Sequence, residues 1–106
     1  MHLKYAHLLA DLANMRPPAV VSALITARDA EDVLAATLDS ALGQDYPPER
    51  LELVVVDDGS ADGSAAIADA YARRLPERVR AIHQPQAGPA AALDAALGAA
   101  RGELLA

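Results

Sequence analysis

The stretch from Glu52 to Ser64, ELVVVDDGSADGS, decides the fold. Leu53, Val54, Val55 and Val56 form an apolar run with no polar interruption. Such a run reads as a strand covered on both faces, as strands of a parallel sheet are. It leads directly into Asp57 and Asp58, then a tight turn at Gly59 and a helix start near Ser60 or Asp62. Ligands of open parallel sheets sit beyond the carboxyl ends of the strands. The two carboxylates therefore stand where a ligand would be met. Their plainer role is to favour the positive end of the following helix, and Asp62 and Ser64 read as helix-start residues whatever the function.

The same logic extends outward. Upstream, Ala19 to Thr26 (AVVSALIT) is a second buried strand, followed by a polar turn, Ala27, Arg28 and Asp29. Asp29, with Asp32 three residues on, has the form of a helix cap and a first-turn acid. The spacing predicts a helix from about Ala30 to Leu42 that turns Leu34, Leu38 and Leu42 to the sheet and ends at Gly43. Tyr46, Pro47 and Pro48 loop back to the strand from Leu51 to Asp57. Downstream, the helix after the acidic pair extends to about Leu75, with Ile67, Tyr71 and Leu75 inward, and Pro76 stops it. Arg78 to His83 (RVRAIH) alternates and carries charge, as an edge strand does. The turn Gln84 to Gly88 precedes a helix from Pro89, a favoured first-turn residue, with Leu93, Leu97 and Ala100 as its predicted inner stripe and Gly102 as its end. Glu103 to Ala106 opens a fourth strand. His2 to Met15 reads as a helix, so residues 1–17 form an N-terminal appendage ended by Arg16, Pro17 and Pro18. The order β-α-β-α-β-α-β implies a parallel sheet with right-handed crossovers. A chain that stops within its last strand reads as a fragment.

Composition narrows the function. The chain has 106 residues, enough for one small domain. Aromatic content is 3%, with no Phe and no Trp, which argues against stacking platforms. The net charge of −6 opposes a nucleic-acid partner. The absence of cysteine excludes disulfides, thiolate metal sites and cysteine catalysis. No apolar run reaches the ~18 residues of a membrane span, and Lys4 and Asp11 interrupt the apolar N-terminus in a way unlike a signal peptide. His2, His7 and His83 form no spaced cluster and read as ordinary residues. Arg73, Arg74, Arg78 and Arg80 read as a solvated face with local acids. No Gly-x-Gly-x-x-Gly turn follows either early strand, which counts against a dinucleotide.

Read together, the motifs resemble the opening of family-2 glycosyltransferases. The run from Leu38 to Pro47 is similar to a Leu-x-Ser-Leu-x-x-Gln-x-Tyr-Pro pattern, Val56 to Asp62 to Val-Asp-Asp-Gly-Ser-x-Asp, and Gly88 to Glu103 to a Gly-x-x-x-Ala…Ala-x-Gly-Glu run. The resemblance covers roughly Pro18 to Ala106 and implies the nucleotide-sugar-binding half of a GT-A domain, residues 18–106. The expected fold is a Rossmann-like three-layer α/β/α arrangement with parallel order 3-2-1-4. It implies a nucleotide-binding set of Thr26, Ala27, Arg28, Asp57, Asp58 and Gly88. Asp58 would accept the imide N–H of a uracil-like base, a bond strengthened by its charge. Thr26 to Arg28 would wrap base and ribose, and Gly88 would allow close backbone approach.

The implied donor is a nucleotide-diphosphate sugar, UDP-sugar foremost, with transfer to an acceptor hydroxyl. A divalent metal, Mn²⁺ or Mg²⁺, is implied for the intact enzyme, on an Asp-x-Asp expected just past Ala106. Its ligands and the catalytic base are absent from the sequence, so the chain alone is expected to be inactive. The implied location is cytoplasmic, or the cytoplasmic face of a membrane. Departures from the pattern are Thr26 for Pro, Asp29 for Asn, Ala30 for Glu, and Leu93-Asp94 for Arg-Asn, the last removing an arginine that would face the diphosphate. Two other readings stand beside this one: a non-catalytic binding or assembly module, dimerising through an open sheet edge, and another Rossmann-like nucleotide binder.

Overall fold

The computed structural model describes residues 20–105. The expected helix at His2 to Met15 and the appendage at residues 1–17 lie outside the described residues. Strand β1 (Val21–Ala27) leads to helix α1 (Glu31–Leu42), and a 3₁₀ turn at Pro48–Arg50 leads to β2 (Leu51–Asp58). Helix α2 (Ser64–Arg74), β3 (Val79–Gln84), α3 (Pro89–Ala99) and β4 (Glu103–Leu105) follow. The four strands form one parallel sheet in the order β3-β2-β1-β4, as expected.

Every residue of β2 is buried, which explains its unbroken apolar sequence: it is a central strand with a helical layer on each side. On one face Leu53 and Val55 join Val21, Ala23 and Ile25 of β1, and α1 and α2 cover them with Leu34, Leu38, Ala68 and Tyr71. On the other face Val54 and Val56 meet Leu24, and α3 covers them with Ala92 and Ala96. Leu42 is only partly buried, and Ala41 beside it is the residue that reaches the core.

The predicted stripe of α3 is corrected. Ala92 and Ala96 are fully buried, Leu93 is half-buried, and Leu97 is 39% exposed. The inward face is rotated by one residue, about 100°. Alanine at both inward positions lets the helix backbone approach β1 and β2 closely, which leucine would prevent. Elements also start late relative to expectation: α2 begins at Ser64, and Ser60 to Gly63 form its approach.

Two arginines expected to be solvated instead hold helix ends. Arg78 donates to Leu42 O at 3.3 Å and Arg80 to Ala99 O at 2.8 Å, the C-terminal residues of α1 and α3. Free carbonyls at helix ends are favoured partners for cations. At the opposite end of the sheet from the acidic pair, Glu52 is buried with its charge. It accepts hydrogen bonds from Ser22 Oγ (2.7 Å), Arg101 N (2.9 Å) and Arg101 Nε (2.9 Å). Burial, the largest single influence on its carboxyl, pushes the pKa up. The Arg101 amide, the Ser22 hydroxyl and the Arg101 guanidinium together outweigh it and leave the pKa below the usual range.

Candidate functional site

Asp57 and Asp58 close β2, and the two-residue period of a strand sends their side chains to opposite faces. Both are buried, at 6% and 5% exposure, so each must find partners. On the α2 face, Asp57 Oδ1 accepts from Ser60 N (3.2 Å), and Oδ2 meets His83 Nδ1 (3.3 Å). The other ring nitrogen of His83 meets Asp69 Oδ1 at 2.6 Å. The hydrogen bond to Asp69 is the main cause that raises the His83 pKa; burial opposes it and Asp57 adds to it. A histidine read as ordinary thus bridges β3, β2 and α2. The parallel register places His83 opposite Asp57, a pairing the sequence alone did not show.

On the α3 face, Asp58 Oδ1 accepts from Gln84 Nε2 (2.8 Å) and from Ala87 N (2.8 Å), and Oδ2 accepts from Gly88 N (3.1 Å). Gln84 first, then the Ala87 and Gly88 amides and the nearby Arg28 charge, hold the carboxyl below the usual carboxylate range against some desolvation. Asp58 is thus a fixed carboxylate at the carboxyl end of the central strand.

A cavity of about 160 Å³ opens beside it, lined by Thr26, Ala27, Arg28, Asp58, Gly88, Pro89 and Ala92. The structure therefore brings Thr26, Ala27, Arg28, Asp58 and Gly88 together. It places Asp57 elsewhere, on the α2 face with His83. Pro89, read from the sequence only as a helix start, and Ala92, not singled out at all, also line the cavity; their place in the first turn of α3, directly after Gly88, was the available signal. Drug-sized ligands fill pockets of roughly 300–1,000 Å³, so this cavity suits one ring system of a larger ligand. Gly88 has φ 98° and ψ 166°, a region essentially reserved for glycine. A Cβ there would meet nothing within 4 Å, so the backbone conformation, not crowding, requires the glycine.

The second half of the motif is structural. Asp29 N donates to Ser60 Oγ (2.9 Å), and Ala61 N donates to Asp29 Oδ1 (2.7 Å). Ala30 N donates to Ser64 Oγ (2.8 Å), Glu31 N to Asp62 Oδ2 (3.1 Å), and Gly63 N to Glu31 Oε2 (2.8 Å). Asp29, expected to cap α1, does not. Ala30 stands at the cap position without a side-chain bond; its own amide is taken by Ser64, the first residue of α2, and the Glu31 amide by Asp62, just ahead of that helix. Asp29 itself takes φ 48°, which aspartate tolerates better than most residues. The two helix starts cap one another and fix the β1–α1 and β2–α2 loops as one unit beside the cavity.

Among the described residues no group of three or more His, Asp or Glu is arranged to hold a metal ion. Asp58 faces N–H donors on both oxygens, and both ring nitrogens of His83 are engaged by carboxylates. These residues do not fit a divalent cation. Among them too, no helix is long and apolar enough to cross a membrane.

A parallel sheet covered by helices on both faces, with a fixed carboxylate and a cavity at its strand ends, defines a Rossmann-like α/β domain. The family model for glycosyl transferase family 2 matches residues 22–106, and the chain belongs to that family. It is 37% identical over 92 residues to the putative glycosyltransferase EpsH of Bacillus subtilis (strain 168), covering 87% of this chain and 26% of EpsH. It is 31% identical over 84 residues to the poly(ribitol-phosphate) beta-N-acetylglucosaminyltransferase TarS of Staphylococcus aureus (strain Mu50 / ATCC 700699), covering 79% of this chain and 15% of TarS. Among solved structures, the mannosyltransferase PcManGT from Pyrobaculum calidifontis, in complex with GDP-Man and Mn²⁺, aligns with a TM-score of 0.75 and 30% identity. That alignment covers 82% of this chain and 26% of PcManGT. The chain thus spans about a quarter or less of the length of these relatives.

Proposed function

We propose that this chain holds the nucleotide of a nucleotide-diphosphate sugar, as the donor-binding part of a glycosyltransferase that passes the sugar to an acceptor hydroxyl. The observation that carries the reading is Asp58: a carboxylate held ionised by three N–H donors, at the mouth of a cavity lined by the expected turn residues. A charged acceptor held in a fixed position binds a base N–H more strongly than a neutral one and with defined direction. Thr26 to Arg28 border the same cavity and offer backbone groups and one cation to the ribose and phosphates. UDP is the proposed nucleotide, and the proposed location is cytoplasmic.

A metal ion such as the Mn²⁺ in the PcManGT complex would neutralise charge on the leaving diphosphate. The described residues of this chain are assigned no part in holding it. Strand addition at the β3 edge has less support, because that edge carries Arg80 and His83 and charge on an edge strand opposes it. The test is calorimetric titration of the 106-residue chain with UDP. Saturable binding that Asp58→Ala abolishes, with the circular dichroism spectrum unchanged, is the expected result. Equal affinity in the variant would overturn the reading.

A further inference from the structure

The acceptor capacity of Asp58 can be counted. A carboxylate offers about four lone-pair directions, two on each oxygen. Oδ1 receives both Gln84 Nε2 and Ala87 N at 2.8 Å and is full. Oδ2 receives Gly88 N at 3.1 Å and keeps one direction. Two of these donors are backbone amides, fixed by the turn before α3. The third is a side chain: Gln84, half-buried at the end of β3 and in register with Asp58. A base edge with one imide N–H, as in uracil, needs one acceptor direction. A guanine edge presents N1–H and an N2 amino group side by side, and a carboxylate meets such a pair by using both oxygens at once. With Oδ1 filled, that fork is closed.

We propose that Gln84 is a specificity-determining residue, which by occupying Oδ1 of Asp58 restricts the cavity to single-donor pyrimidine bases and rejects two-donor bases of the guanine type. This rests on the nucleotide-binding reading above. It also separates this chain from PcManGT, whose complex holds GDP-Man. The selectivity lies in the side chain beside the acid and not in the acid itself.

The experiment titrates the 106-residue chain, and its Gln84→Leu and Gln84→Met variants, with UDP, GDP and N3-methyl-UDP. The wild type is expected to favour UDP over both others by about ten- to a hundredfold, the worth of one hydrogen bond to a charged group. Either variant that keeps the wild-type circular dichroism spectrum is expected to lose most of the UDP-over-GDP preference. An unchanged preference in a folded variant overturns the role of Gln84 and leaves nucleotide binding standing. A wild type that binds GDP, or N3-methyl-UDP, as well as UDP overturns the proposal without any variant. Failure of all three nucleotides to bind overturns both this proposal and the reading beneath it.

Discussion

Ser64, the first residue of α2, lies with its Oγ 2.8 Å from the amide of Ala30, at the start of a different helix. The hydroxyl is fully buried and also bonds to the Asp62 carboxylate, which holds that acid below its usual pKa. Removing it in Ser64→Ala strands the Ala30 N–H. The expected loss is about 1–3 kcal/mol of unfolding free energy, as for other buried groups left unpaired. Urea denaturation checks this; an unchanged midpoint would show that water replaces the hydroxyl at no cost.

His83 makes stability depend on pH in a defined direction. Its folded pKa is raised above the ordinary 6.5, mainly by Asp69 and also by Asp57. The fold therefore favours the imidazolium. That contribution is fully present below the unfolded pKa and is lost as pH rises through the folded value. The difference in urea midpoint between wild type and His83→Ala is expected to be largest near neutral to mildly acidic pH and to shrink on the alkaline side. A difference that grows with pH would refute the assignment.

Glu52 gives the opposite sign. Its folded pKa is lowered from 4.5, so its contribution is present above that value and fades as pH falls through the folded one. Glu52→Gln is expected to flatten the acid limb of the stability profile, measured by thermal melts in stepped buffers. The limb persisting in the variant would place the acid sensitivity elsewhere.

Two glycines are expected to respond in opposite senses. Gly59 has φ 71°, and a Cβ there would come within 2.5 Å of Gln86 N, so Gly59→Ala must displace the 84–88 turn. The expected cost is about 1–3 kcal/mol of strain, with nucleotide affinity falling as well, because that turn supplies the donors to Asp58. Gly98 lies within α3, where a Cβ meets nothing within 4 Å. Gly98→Ala is expected to stabilise by about 0.5–1 kcal/mol through helix propensity. Chemical denaturation of both variants, beside nucleotide titration of Gly59→Ala, tests the pair.

The order of elements was legible because β2 is apolar throughout and Pro, Gly and Asp punctuate what flanks it. That Asp58, Gly88 and the Thr26–Arg28 turn would come together around one cavity was legible too. Asp57 was expected in the same set, but the two-residue period of a strand turns it to the opposite face, and it does not line the cavity. Other features were hidden for physical reasons. Helix α3 is alanine on nearly every side, so periodicity could not select Ala92 and Ala96 over Leu93 and Leu97. The cross-capping pairs residues 31 to 34 apart, and the Glu52–Arg101 pair spans 49. An aspartate ahead of a helix looks like a local cap whichever helix it serves. Gln84 gave no signal because its importance lies in which oxygen it fills.

The hold of Arg78 and Arg80 on the ends of α1 and α3 bears on how this molecule opens. An outermost strand is commonly the first part of a sheet to fray, and such fraying is normally a local event. Here detaching β3 uncaps a helix on each side of the sheet at once, and frees Gln84 from Asp58 in the same motion. Fraying at this edge therefore also clears one lone-pair direction on Asp58 Oδ1, so loosening of the outer strand and a change in what that carboxylate can accept are parts of one event.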